Sequence, residues 1–231
     1  MKKWIIPSLF FILLLSGFCS LAVEKKVKKE TGASKNEKLF KNKTVTTVSS
    51  DFMTLHKVDE KLYFEMPLHL MGREMLLSTT VSKTSNNMAA MLGHTPNVMH
   101  VCFVLQDSTV QLCSIASSVT ANMENPRMEQ VIRQGYGNSV LYGYKVLAYT
   151  RDSSAVVFDV TNLFLDDVKT MSPLLRSSGR YDISGRMKTA WSRLGDVKAF
   201  ENNVSIKSML LYTVNVWYSI MPVLREVAVT V

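Results

Sequence analysis

Cysteine is scarce, with three in 231 residues, too few for a disulfide framework. The 10 glycines and 6 prolines exclude collagen-like and Pro/Gly-rich disordered classes. Histidine is equally sparse: His56, His69, His94 and His100 are all there are. No His-Glu-x-x-His occurs, so the helical zinc pair with its glutamate base is missing. No Gly-x-Ser-x-Gly elbow is present, and none of the serines sits in a motif with a nearby base. Gly135-Tyr136-Gly137 lacks the third glycine of a phosphate-binding fingerprint and reads as a turn. His94 and His100 flank Pro96 and could in principle share a metal, but two unrelated histidines is the favoured reading. The expectation is therefore no catalytic residue, no metal site and no cofactor. Long apolar runs are also few, and a single one excludes a polytopic membrane protein.

Positive charge is present in excess, at +8 net, but it is unevenly placed. Residues 24–43 hold eight lysines and three glutamates, and Lys2 and Lys3 add two more charges. The remainder, 44–231, carries 17 basic and 16 acidic residues and is nearly neutral. A duplex-binding domain concentrates its charge on the fold, so no nucleic-acid partner is expected.

The amino terminus reads as an export signal. Lys2 and Lys3 precede an apolar run through Leu15, and Ser20-Leu21-Ala22 places small residues before Val23. Cleavage after Ala22 is the main reading. An uncleaved anchor and acylation of Cys19 are the alternatives, although Phe18 is bulky for a lipoprotein site. Membrane attachment is expected only through such an anchor or lipid. The reading thus divides the chain into a signal peptide at 1–22, a flexible basic linker at 23–50 and a β-rich domain at 51–231. The linker could attach to an anionic surface, though a solvated spacer is the plainer role.

Strand signals dominate from Phe52 onward. Phe52–Val58 and Leu62–Met66 form a hairpin around Asp59-Glu60, closed by Pro67, and Glu74–Ser82 is a third strand. Residues 83–97 read as a loop. Further hairpins pair Val98–Gln106 with Thr109–Ser117 and Val140–Thr150 with Ser154–Val160; late strands follow at Asn203–Tyr218 and Arg225–Val231. Two short helices are expected, one after Asn125 with Met128, Val131 and Ile132 on one face, one carrying Met187, Ala190, Trp191 and Leu194. The fold class is mainly β, a β-rich α+β arrangement: an antiparallel sandwich or curled sheet with two short helices. Strand-type sequence running to Val231 suggests a chain that stops early.

Register arithmetic singles out one pair of residues. A two-residue turn at Asp107-Ser108 pairs Cys102 with Cys113 across the hairpin, within disulfide reach, and an exported chain meets an oxidising compartment. The pair falls on a hydrogen-bonded position, and two buried thiols is the competing reading. The 14 methionines are scattered and read as core filler.

The segment DFMTLHKVDEKLYFEMP (51–67), followed by LMGREMLLS (70–78), resembles the amino-terminal, uncharacterised domain of large secreted bacterial zinc-dependent metalloproteases. DSSAVVFDVT (152–161), SRLGDVKAFENNV (192–204) and MPVLRE (221–226) are similar to the same family. The resemblance implies a signal peptide, a Lys/Glu-rich linker and a catalytic region lying beyond Val231, none of whose residues is here. Protease activity is therefore not carried over. The expected function is a non-catalytic exported domain, stand-alone, split or truncated, located in the periplasm, envelope or outside the cell. It would act as a packing or interaction module whose partner is a zinc-metalloprotease catalytic polypeptide, with Tyr212, Trp217 and Tyr218 as candidates for the contact face. The alternative is a cell-envelope module binding peptide or carbohydrate; an enzyme of unrecognised type has no motif behind it.

Overall fold

Alternating apolar residues and tight turns convert this sequence into antiparallel strands. The computed structural model describes residues 39–41, 43–87, 89–96, 98–115, 139–175, 185–214 and 219–230, with backbone only for Gly185 and 219–230. Twelve strands lie among them: β1 (Val45–Ser49), β2 (Thr54–Val58), β3 (Lys61–Pro67), β4 (Met75–Thr84), β5 (Val98–Gln106), β6 (Thr109–Ser114), β7 (Ser139–Tyr149), β8 (Ala155–Asp159), β9 (Gly185–Met187), β10 (Arg193–Ala199), β11 (Asn203–Val214) and β12 (Ser219–Thr230). One short helix, α1 (Thr161–Leu165), follows β8. The mainly β, antiparallel fold class read from the sequence is the observed one.

The expected hairpins form where their turns can. Asp59, Asp107 and Ser153 adopt positive φ (54°, 53° and 57°), the left-handed conformation that short polar side chains tolerate in tight connections. Strand order runs β1-β2-β3-β8-β7-β6-β5-β4-β12-β11-β10, with β9 also on β11. β7 belongs to two sheets. Ser139–Lys145 pairs with β6, whereas Val146–Tyr149 pairs with β8, after a register shift between Val146 and Ala148. The result is an eight-strand large sheet (β7-β6-β5-β4-β12-β11-β10/β9) and a small sheet (β1-β2-β3-β8-β7) that share one strand.

The main core fills the space between the inner faces. Leu55, Leu62, Phe64 and Met66 of the small sheet meet Leu77, Val101, Phe103, Leu112, Val204 and Ile206 of the large one. Phe64 sits within 6.4 Å, 6.1 Å and 5.9 Å, centroid to centroid, of Phe103, Phe158 and Phe164. Edge-to-face and tilted rings at such spacing add to what their burial contributes. A second cluster, with Val81, Ala90, Leu174, Leu210 and Tyr212, extends the core under the 85–96 loop. A third covers the outside of the small sheet, where Leu39, Phe40 and Val45 pack on Val58, Tyr63, Ala148 and Val157.

The two ends of the strand path approach without pairing. Lys57, on the core-facing side of β2, reaches across and donates from Nζ to the carbonyls of Leu194 and Gly195, both at 2.9 Å. Glu60 Oε2 accepts from the Leu194 N–H at 3.3 Å. These carbonyls lie where the register of β10 against β11 shifts between Leu194 and Val197. The edge of β10 is thereby occupied by side chains rather than left as a template for another strand. The sheet curls but does not close into a barrel.

Two expectations need correction. The flexible linker does not extend to residue 50: Val45–Ser49 is strand β1, paired with β2 from Val45↔Val58 to Ser49↔Thr54. The helix read over Met187–Leu194 is instead β9, a 3₁₀ turn at Thr189–Trp191 and β10; of the four residues on the expected apolar face, Met187, Ala190, Trp191 and Leu194, Leu194 alone is buried. Backbone pairing of Gly185–Met187 and Arg193–Ala199 with β11 outweighs a weak helical period spanning Ser192 and Gly195. The helix read after Asn125 lies outside the described residues, as do the signal peptide and Cys19.

Candidate functional site

Three turns, distant in sequence, converge on one open cleft of about 250 Å³ lined by Asp51, Phe52, His69, Leu70, Arg73, Glu201 and Asn202. Each turn is fixed by its own hydrogen bonds. Ser50 Oγ accepts from the N–H of Phe52 at 3.3 Å, and Ser50 N–H donates to Met53 O at 3.2 Å, which sets Asp51 at the apex. Met71 N–H donates to Leu68 O at 3.1 Å and Arg73 N–H to Leu70 O at 3.2 Å. Gly72, at φ +76°, ties that turn to the core through a 2.7 Å bond to Phe103 O, a conformation that glycine adopts without strain. Phe200 N–H donates to Asn203 O at 2.7 Å and holds Glu201 and Asn202 at the β10–β11 tip. Phe52 and Leu70 are buried and make an apolar floor; the five polar lining residues are exposed around it. Among the described residues none of Asp51, His69, Arg73 and Glu201 is in an ion pair.

A second polar constellation lies on the outer face of the small sheet. Thr47 Oγ1 and His56 Nδ1 are 3.0 Å apart, and His56 Nε2 and Glu65 Oε2 are 3.1 Å apart. The order hydroxyl–imidazole–carboxylate evokes nucleophilic catalysis, but here both ring nitrogens are already engaged and His56 is buried beneath Phe40, at 4.9 Å between ring centroids. The arrangement is a cross-strand ladder that lets a buried polar ring satisfy both nitrogens. Tyr63 beside it has its phenol pushed up by burial first and by Asp159 second.

The cysteine register follows the arithmetic: Cys102 stands directly opposite Cys113. Both are buried and neither is in a disulfide in this structure. They occupy the face of the large sheet that points away from the main core, since Val101, Phe103 and Leu112 point into it. Burial, then the neighbouring Cys113, raises the Cys102 thiol above its ordinary pKa. Around this pair the same outer face exposes Leu76 (40%), Val98 (49%) and Val140 (54%). Leu76 is opposite His100 and Val98 opposite Ser78, so the two apolar residues are diagonal neighbours; Val140 is opposite Cys113.

His94 is half-buried in the 85–96 loop and His100 is exposed on β5. Among the described residues no group of three or more His, Cys, Asp or Glu is placed to hold a metal ion. Tyr212 is no contact residue: it is fully buried and its hydroxyl donates to Asp167 Oδ1 at 3.0 Å. Its even-numbered position on β11 faces the core with Ile206 and Leu210. Trp217 and Tyr218 lie outside the described residues. No helix among the described residues is long and apolar enough to cross a membrane. Sequence reasoning did not find the cleft, because its rim is drawn from residues 51, 69–73 and 201–202; only the turn signals themselves were visible.

No curated protein and no solved structure matches the chain. Two families do match, each described as a domain of unknown function: DUF5118 over residues 33–84 and DUF5117 over residues 93–231. The boundary between them falls in the 85–96 loop, so β1–β4 come from the first segment and β5–β12 from the second. β4 nevertheless pairs with both β5 and β12, which knits the two matched segments into one sheet. With more than half of its length matched, the chain belongs to the DUF5117 family, preceded by a DUF5118 segment.

Proposed function

We propose that this chain is a non-catalytic exported domain, related to the amino-terminal region of zinc-dependent metalloproteases, that packs through its large sheet on a partner polypeptide. The observation that carries the reading is the outer face of β4, β5 and β7. Leu76, Val98 and Val140 are each at least 40% exposed there; Leu76 and Val98 are diagonal neighbours on the paired strands β4 and β5, and Val140 lies on β7, beyond β6. Large apolar side chains grouped on one face cost free energy in water and are typical of contact surfaces. The sequence resemblance supplies the partner class, a zinc-metalloprotease catalytic polypeptide.

The test is a pull-down of the tagged full-length chain from its native cell envelope, read by mass spectrometry, beside a Leu76→Glu/Val98→Glu variant. A co-purifying zinc-protease polypeptide that the variant fails to retain is the expected result. Capture unaffected by the variant overturns the surface assignment. One zinc per purified chain together with peptide hydrolysis overturns the non-catalytic reading. The second reading, an envelope peptide-binding module, is favoured by the charged cleft.

A further inference from the structure

We infer that the cleft between the three turns is a binding site for a small zwitterion, a free amino acid or a short peptide with both ends uncapped. This deepens the second reading above and shares no residue with the proposed packing surface, so the two fail independently. The chemistry of the rim selects the ligand. Arg73 offers a planar guanidinium that matches a carboxylate in two parallel hydrogen bonds. Asp51 and Glu201 offer two carboxylates to an ammonium, and His69 and Asn202 add further polar groups. Arg73, Asp51 and Glu201 line the same cleft, yet among the described residues none of them is in an ion pair. Each is held on a different hydrogen-bonded turn, so the separation between acid and base is built into the backbone. A ligand carrying one charge of each sign satisfies both ends at once.

Other ligand classes fit poorly. A phosphate would meet one arginine and two carboxylates, a net repulsive set. A sugar is commonly held against an exposed aromatic ring, but Phe52, the aromatic residue lining the cleft, is 4% exposed. A divalent cation would have to sit beside the Arg73 guanidinium, and no metal-holding group occurs among the described residues. The volume of about 250 Å³ lies just below the roughly 300–1,000 Å³ of drug-sized pockets, which limits the occupant to one or two residues. Phe52 and Leu70 close the floor but are only 4% and 1% exposed, so the charged rim rather than the floor selects the ligand.

The experiment is calorimetric titration of the purified full-length chain, with amide NMR shifts to locate binding. The probes are free leucine, the dipeptide of two leucines, and that dipeptide N-acetylated or C-amidated. The expected result is binding of leucine, the dipeptide or both with a dissociation constant below a millimolar, with shifts at residues 69–73 and 200–202. Capping either end weakens binding at least tenfold. Which of the two free probes binds more tightly assigns the amino acid or the peptide as the source. In Arg73→Gln the preference for acid over amide disappears; in Glu201→Gln the preference for the free over the acetylated amine falls. Both positions are exposed, so each variant keeps the wild-type spectrum outside the cleft. Equal affinity for capped and free dipeptides, shifts confined elsewhere, or no binding at millimolar concentration overturns the assignment.

Discussion

On the small sheet the face turned away from the core carries Thr47, His56, Tyr63 and Glu65, with Phe40 lying across His56 and Tyr63. On the large sheet the corresponding face carries Leu76, Val98 and Val140 in the open. One face has its imidazole bonded on both sides and its apolar residues covered by the chain's own Leu39 and Phe40. Among the described residues of the other, Cys102 and Cys113 on β5 and β6 and Ser205 on β11 are buried. The difference teaches where to look for a partner: a surface the chain has already completed offers a ligand little, whereas one left apolar or unpaired is stabilised by what binds it.

The sharpest way to break this comparison is to place the same charge on both outer faces. Val58 is 2% exposed within the cluster under Phe40, so Val58→Glu should cost about 3 kcal/mol or more, through lost packing and a buried carboxylate. Leu76→Glu, on the large sheet, should change stability by less than about 0.5 kcal/mol. Urea denaturation of both variants decides it. Equal losses would mean that the large sheet's outer face is covered after all.

Next in size is Lys57→Met, which tests the seam between the sheets' ends. The methionine keeps most of the aliphatic stem but leaves the carbonyls of Leu194 and Gly195 without their donor. A loss of about 1–3 kcal/mol is expected, together with faster hydrogen exchange along β10. Unchanged exchange in β10 would show that pairing with β11 alone holds that edge.

The two sheets were also unequally legible in the sequence. Hairpins with short turns were readable because Asp59-Glu60, Asp107-Ser108 and Arg151–Ser153 are local signals between alternating runs, and the Cys102–Cys113 register followed from counting alone. β1 was not readable. VTTVS offers two apolar residues after a lysine-rich stretch, and it becomes a strand because β2 supplies backbone partners and His56 engages Thr47. β10 was hidden for the opposite reason: Met187, Ala190, Trp191 and Leu194 happen to repeat at helical spacing. The cleft and the strand that changes sheets at Val146 rest on long-range pairing, which no local pattern encodes.

A smaller effect tests whether the small sheet's outer polar ladder contributes to its stability. Thr47→Val keeps the β-branched shape that suits a strand and removes only the hydroxyl bonded to His56 Nδ1. Thr47 is exposed, so water can replace part of the bond, and a loss of about 0.5–1 kcal/mol is expected in urea titration. A gain in stability would mean that strand propensity outweighs the ladder, and that Phe40 rather than hydrogen bonding holds β1 in place.

The smallest effect lies at the β7–β8 turn, which follows the strand shared by both sheets. Asp152 Oδ1 accepts from the Ser154 N–H at 3.2 Å, and bonds to Ser154 and then Thr150 hold its carboxyl down at about 2. Because the folded value is depressed, the ionised carboxylate favours the native turn at every pH above the ordinary carboxylate range. That contribution is lost as pH falls from about 4 toward 2. Asp152 is fully solvent-exposed, so salt and water screen the effect and it stays small. Asp152→Asn should therefore melt slightly below wild type at pH 7, and the gap should close near pH 2. A gap that is constant across this range would assign the turn's stability to Ser153, at φ +57°, and to the Thr150 backbone bond rather than to the carboxylate.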